Sequence, residues 1–142
     1  MIVKEIINIL KETSIFSDLD ESQLSTLAFS ADKISFTTGD LIIKTGEEEP
    51  KCVIITEGKA FIQKKSGPIA LKPGNVVGLL SLIDQTKPKD AIIAGGKGSA
   101  LIINEELFNN LVNEFPEFTL LIRNKLSKNL TSKIELMGSI IQ

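Results

Sequence analysis

Pro73-Gly74-Asn75-Val76-Val77-Gly78-Leu79-Leu80-Ser81-Leu82-Ile83-Asp84-Gln85-Thr86-Lys87-Pro88-Lys89-Asp90-Ala91 is the stretch on which the reading of the fold turns. Gly74 and Gly78 frame a tight turn, where the missing Cβ lets the backbone approach a neighbour closely. Leu79 to Ile83 then reads as a short apolar helix. The first N–H groups of such a helix have no partner within it and can face an anion. Gly78 with the N–H groups of Leu79, Leu80 and Ser81 is therefore a candidate anion nest. Pro88-Lys89 and Ala91 lead on into an apolar run.

Outward from this stretch, the texture from Ala31 to Ile103 is that of a β protein. Runs rich in Ile, Val and Phe alternate with Gly, Pro and charged turns. Strands are predicted near Asp32–Phe36, Leu41–Lys44, Lys51–Thr56, Lys59–Lys64, Ile69–Leu71, Ala91–Ala94 and Ala100–Ile103. Glu57-Gly58 and Ser66-Gly67-Pro68 carry turn chemistry. Gly95-Gly96-Lys97-Gly98-Ser99 is only superficially like a P-loop: a strand pattern follows it, where a P-loop opens a helix. It is read as a hairpin turn. Many short strands at this spacing predict a jelly roll, a double-stranded β-helix.

Helical spacing flanks the roll on both sides. Ile2, Ile6, Ile9 and Leu10 place a first helix to about Glu12. Asp20 with Gln23 three residues on predicts a capped second helix to about Phe29. Asn104-Glu105-Glu106-Leu107 predicts another capped start, and Pro116 divides two closing helices. The last is expected to run to about Ile140 with Phe118, Ile122, Leu126, Leu130, Ile134, Met137 and Ile141 as its stripe. The layout is thus one domain over 1–142: helical lead-in 1–30, β-roll 31–103, closing helices 104–141. The length of the last helix points to a protein partner or a homodimer formed through it.

The totals narrow the chemistry. The chain has 142 residues, net charge −2, one Arg, one Cys, and no His, Trp or Tyr. A slightly acidic chain with Arg123 as its single Arg lacks the basic face that nucleic acid requires. Without His, the commonest general base and metal ligand is missing, so neither a metal site, a cofactor nor a catalytic residue is expected. A cupin-type enzyme, which shares the roll, is disfavoured on the same ground. The lone Cys52 suits a reducing cytoplasm and reads as a small buried hydrophobe. Met1 to Glu5 does not read as a signal peptide, and no run approaches the roughly 18 apolar residues of a membrane span.

The quoted stretch resembles the phosphate-binding cassette of cyclic-nucleotide-binding domains, found in catabolite-activator-type regulators and in regulatory subunits of cyclic-AMP-dependent kinases. The family pattern runs Pro-Gly-Asp-x-Phe-Gly-Glu-Leu-Ser and later Arg-x-Ala. Further motifs fit in order: Phe16 in the opening segment, Thr38-Gly39-Asp40-Leu41-Ile42, Gly46-Glu47, Val53 to Ala60 around Glu57-Gly58, Leu71 to Asn75, and Ile103-Asn104 with Phe108 and Pro116. The resemblance implies a non-enzymatic regulatory module, with cyclic AMP or cyclic GMP held by Gly78, Leu79, Leu80, Ser81, Lys89, Asp90 and Ala91. Three of these depart from the pattern. Leu79 stands where a Glu accepts from the ribose 2′-hydroxyl, and Lys89 where an Arg forks onto the phosphate. Asp90 occupies a small-residue position, where it is expected to repel phosphate and pair with Lys89.

Losing a charged acceptor costs about 1.5–3 kcal/mol, roughly ten- to a hundredfold in affinity. Lys keeps the charge of Arg but not its bidentate fork. Cyclic-nucleotide binding is thus expected to be weakened or altered. The alternative is a member with no nucleotide ligand, serving as an interaction or dimerisation module. Leu79 and Leu80 are expected to pack inside the roll, and Glu47-Glu48-Glu49 to form a solvated loop. A DNA-binding regulator would need a helix-turn-helix after the long helix, and none is present in this chain.

Overall fold

The computed structural model describes residues 2–132, with side chains placed to Lys125. Helix α1 (Val3–Glu12), a 3-10 turn at Ser14–Phe16 and helix α2 (Glu21–Ser30) precede strand β1 (Asp32–Phe36). Strands β2 (Leu41–Ile43), β3 (Lys51–Glu57), β4 (Ala60–Lys64), β5 (Gly67–Leu71) and β6 (Val76–Val77) follow. Helix α3 (Leu79–Asp84) interrupts the strands before β7 (Ile92–Ala94) and β8 (Gly98–Asn104). Helices α4 (Glu105–Glu114) and α5 (Phe118–Ser132) close the described chain. Ile134, Met137 and Ile141 of the expected stripe lie outside the described residues, as do the side chains of Leu126 and Leu130.

The helix starts are set locally. Asp20 accepts from the Gln23 N–H at 2.8 Å while the Gln23 side chain accepts from the Asp20 N–H at 2.9 Å, a complete capping box for α2. Asn104 accepts from the Leu107 N–H at 2.8 Å and opens α4. The box satisfies two otherwise unmet N–H groups and the Asn104 cap one, and each cap stabilises its helix end by about 1 kcal/mol. Ile6 and Leu10, four residues apart, turn one face of α1 inward. The helices meet around Phe16 and Phe118, both fully buried, and Phe108 stands edge-on to Phe118 with centroids 5.9 Å apart.

The strands form two four-stranded antiparallel sheets, ordered β1-β8-β3-β6 and β2-β7-β4-β5. This is the expected jelly roll with flanking helices. Only β4 and β5 are sequence neighbours that pair, from Ala60↔Leu71 to Lys64↔Gly67. Every other connection carries the chain from one sheet to the other. The core lies between the sheets, and Cys52 to Thr56 of β3 are buried without interruption. A half-covered strand would alternate; continuous burial means both faces are covered. Helix α3 packs on β3.

Two expectations change here. Gly95 to Ser99 is not a hairpin turn, because β7 and β8 belong to different sheets. Gly95 donates to the Lys59 carbonyl at 2.8 Å and its Cα faces the Phe61 ring, so the segment crosses between sheets. A Gly-rich link looks the same in either role, since the partner of the next strand is a long-range matter. Strand β6 was not expected: two residues carry no periodicity. It exists because Val76 and Val77 pair with Ile54 and Val53.

Cys52 is fully buried, and burial pushes its thiol pKa up by disfavouring the thiolate. A thiol-specific reagent at pH 8 is expected to leave it unmodified in the native protein and to label it fully in concentrated urea. Rapid labelling without denaturant would show that β3 opens readily.

Candidate functional site

The turn before α3 is tightly held. The Gly74 N–H donates to the Ile55 carbonyl at 2.8 Å, and the Ile55 N–H donates to the Asn75 carbonyl at 3.1 Å. Asn75 Oδ1 accepts from the Lys72 N–H at 2.9 Å. Thr13 Oγ1 at the end of α1 donates to the Gly74 carbonyl at 3.3 Å, tying the lead-in helix to this turn. Gly78 then caps α3 at φ +93°, a left-handed conformation, with the Lys51 backbone pressed against it. No side chain caps the first turn of α3. From within α3 the Ser81 hydroxyl donates to the carbonyl of Thr86, just past the helix end, and the Thr86 N–H returns a bond to the Ser81 carbonyl at 3.0 Å.

These elements frame a pocket of about 390 Å³. Gly78, Leu80 and Ser81 form one side, with Lys87, Pro88 and Lys89 beside them. Ile43, Ile62, Val77 and Ile92 give it an apolar wall. Lys51, Asp84, Thr86 and Asp90 complete the lining. Volume and mixed lining are those of a small-molecule site. Among the described residues, no three His, Cys, Asp or Glu side chains cluster to hold a metal ion.

Of the seven residues expected at the site, Gly78, Leu80, Ser81, Lys89 and Asp90 line this pocket. Leu79 does not: its side chain is 0 % exposed and belongs to the core. Ala91 is buried behind the lining, where its carbonyl accepts from the Gln63 N–H at 2.9 Å. Asp90 does not pair with Lys89. Its partner is Lys64 at 2.9 Å. The antiparallel register, with Ile62 opposite Ile92, carries Lys64 across from Asp90. That register is a long-range fact and overrides the sequence neighbour.

The charges around the pocket are nearly all paired. Asp84 meets Arg123 of α5 at 3.4 Å, Lys87 meets Glu48 at 3.0 Å, and Lys51 pairs with Glu47. Glu47 is thus half-buried against a lysine, while Glu48 and Glu49 are exposed as expected of that loop. Lys89 is exposed and has no ion-pair partner among the described residues. Lys51, Asp84 and Lys87 had not been singled out from sequence. Lys87 sits in the quoted stretch, but Lys51 reaches the pocket only because β3 runs beside Gly78.

The model of the cyclic nucleotide-binding domain matches residues 33–115, more than half of the chain. The chain belongs to the cyclic nucleotide-binding domain family. The match takes in both sheets from β1 to β8, the cassette and α4. Solved structures share the fold. The N-terminal domain of a transcriptional regulator from Streptomyces coelicolor A3(2) is 20 % identical with a TM-score of 0.77, covering 90 % of this chain and 93 % of that one. The second cyclic-nucleotide-binding domain of a protein kinase A regulatory subunit, bound to Sp-2Cl-cAMPS, is 24 % identical with a TM-score of 0.71, covering 96 % and 91 %. A regulatory subunit of a cAMP-independent protein kinase A from Trypanosoma brucei gives 20 % identity and a TM-score of 0.71. It is a triple mutant bound to cAMP in its A site, and the match covers 92 % of this chain and 48 % of that one. No curated protein matches by sequence. Among the described residues, no helix of this family member is long and apolar enough to cross a membrane.

Proposed function

We propose that this chain is a non-enzymatic regulatory module that takes a singly charged phosphodiester, a cyclic nucleotide, in the pocket beside α3, with affinity for cAMP and cGMP reduced or altered. The observation that carries this reading is Lys89: it lines the pocket as the one lysine there without an ion-pair partner among the described residues. The acids around the pocket, Asp84, Asp90, Glu47 and Glu48, each have a basic partner, so one positive charge is left over for a ligand. A cyclic phosphodiester carries one negative charge and matches it. No side chain caps the first turn of α3, and its Gly78, Leu80 and Ser81 line the pocket, which supports an anion at the same place. The apolar wall of Ile43, Ile62 and Ile92 suits a base. Leu79, buried in the core, offers no acceptor for a ribose hydroxyl, and this is why the affinity is read as reduced.

The module is proposed to act as one domain in the cytoplasm, without metal or cofactor, and to pass its signal to a protein partner or a second copy through α5. Calorimetric titration with cAMP and cGMP tests the ligand. Lys89→Ala is expected to weaken binding by roughly ten- to a hundredfold, the value of a charged hydrogen bond. Lys89→Arg with Asp90→Ala, which restores the fork and removes a carboxylate, is expected to tighten it by at least about tenfold. Absence of binding in both the native chain and the double variant would overturn the ligand and leave the interaction-module reading.

A further inference from the structure

We propose that Glu47 and Glu48 set the charge of the ligand this pocket accepts, by neutralising two of its three lysines. The proposal rests on the reading of the pocket as an anion site. Lys51, Lys87 and Lys89 all line one pocket. Left unpaired, they would attract a multiply charged phosphate over a cyclic phosphodiester. Instead, one loop between β2 and β3 supplies a carboxylate to Lys51 and the next carboxylate to Lys87. Neither Glu47 nor Glu48 lines the pocket, so the loop neutralises from outside without filling the space. Two other acids are cancelled separately: Asp84 by Arg123 and Asp90 by Lys64.

The arrangement discriminates by repulsion. A ligand carrying charge beyond one would have to take Lys51 or Lys87 from its glutamate and leave that carboxylate close to the new negative charge. Like charges placed together at a binding surface are strongly unfavourable, and specificity is often built from such a repulsive element. A singly charged ligand held by Lys89 leaves both pairs intact. The Lys87–Glu48 pair is open to solvent, with side chains 67 % and 78 % exposed, and the Lys51–Glu47 pair is more enclosed, at 29 % and 13 %. Glu47 is therefore screened less by salt and is expected to dominate.

The test uses inorganic pyrophosphate, which needs no nucleotide recognition, alongside cAMP. In low salt, Glu47→Gln with Glu48→Gln is expected to tighten pyrophosphate binding by at least about tenfold over the native chain, and cAMP binding by less. Adding Lys51→Gln and Lys87→Gln is expected to cancel the gain. Glu48→Gln alone, at a largely exposed side chain, serves where the double variant does not fold, and a smaller gain in the same direction is expected. Equal pyrophosphate affinity in native and variant chains, or a gain that persists without the two lysines, would overturn the proposal. The outcome is separable from the cyclic-nucleotide reading. A lysine-dependent pyrophosphate gain with no cAMP binding keeps this inference and removes that ligand. cAMP binding with no pyrophosphate gain does the reverse.

Discussion

Gly78→Ala is expected to lose about 4 kcal/mol or more of stability, one of the largest losses available from a single methyl group in this chain. Two costs add. The backbone at Gly78 has φ +93°, where a side chain costs about 1–2 kcal/mol. The added Cβ would also stand 2.1 Å from the Lys51 carbonyl oxygen and 3.2 Å from its carbon. Both are backbone atoms of β3, held by its pairing with β8 at Asn104, so they cannot swing aside. Gly46 is the control: φ is +81°, but nothing lies within 4 Å of its Cβ position. Gly46→Ala is expected to cost only the conformational part. At about 3 °C per kcal/mol for a chain of this size, the two variants should melt about 6 °C or more apart. Equal melting temperatures would mean that β3 does not press on the cassette turn. Because Gly78 also positions the start of α3, loss of ligand binding is expected wherever the variant still folds.

Leu79→Glu, which places an acid where the family resemblance expects one, is expected to destabilise the fold strongly rather than supply a ribose contact. Leu79 is 0 % exposed and packs in the core with Leu82. A carboxylate there has no partner, and the loss is expected at about 3–5 kcal/mol at pH 7. Burial raises the pKa of an introduced carboxyl above its unfolded value of about 4.3. The folded state then holds the proton more tightly, so the penalty is smallest below the unfolded pKa and grows as pH rises from there up to the raised pKa. Melting curves of Leu79→Glu against the native chain at pH 5 and pH 7 read this directly. Leu79→Met, close in volume, should cost less than about 1.5 kcal/mol. A Leu79→Glu chain that melts like the native protein and binds cAMP more tightly would place position 79 in the pocket and revive the family's usual contact.

The two results bear on each other. At Gly78 a long-range neighbour leaves no room for a side chain, and Leu79 beside it serves packing. On the proposed reading, Lys89 and the glutamates of the β2–β3 connection carry the electrostatics of the pocket.

What could be read along the chain was whatever neighbours in sequence decide between themselves. The Asp20–Gln23 capping box and the Asn104 cap involve residues three apart, and both formed as expected. Seven strands, the short apolar helix after Gly78 and the break at Pro116 follow from period and turn chemistry over a few residues. What tertiary structure alone decided is who faces whom. Val76 and Val77 became a strand because β3 was there to pair with them. The link after Ala94 crosses between sheets because β8 found β1 and β3 rather than β7. Gln23, a polar capping residue by sequence, is buried and donates to Glu117 at 2.8 Å, 94 residues away. Asp90 chose Lys64 over its neighbour Lys89, and Lys51 entered the pocket from a distant strand. Caps and turns are short-range hydrogen bonds that the local chain specifies, whereas strand register and pairs such as Asp90–Lys64 emerge only when the whole roll closes and brings distant backbones within hydrogen-bonding distance.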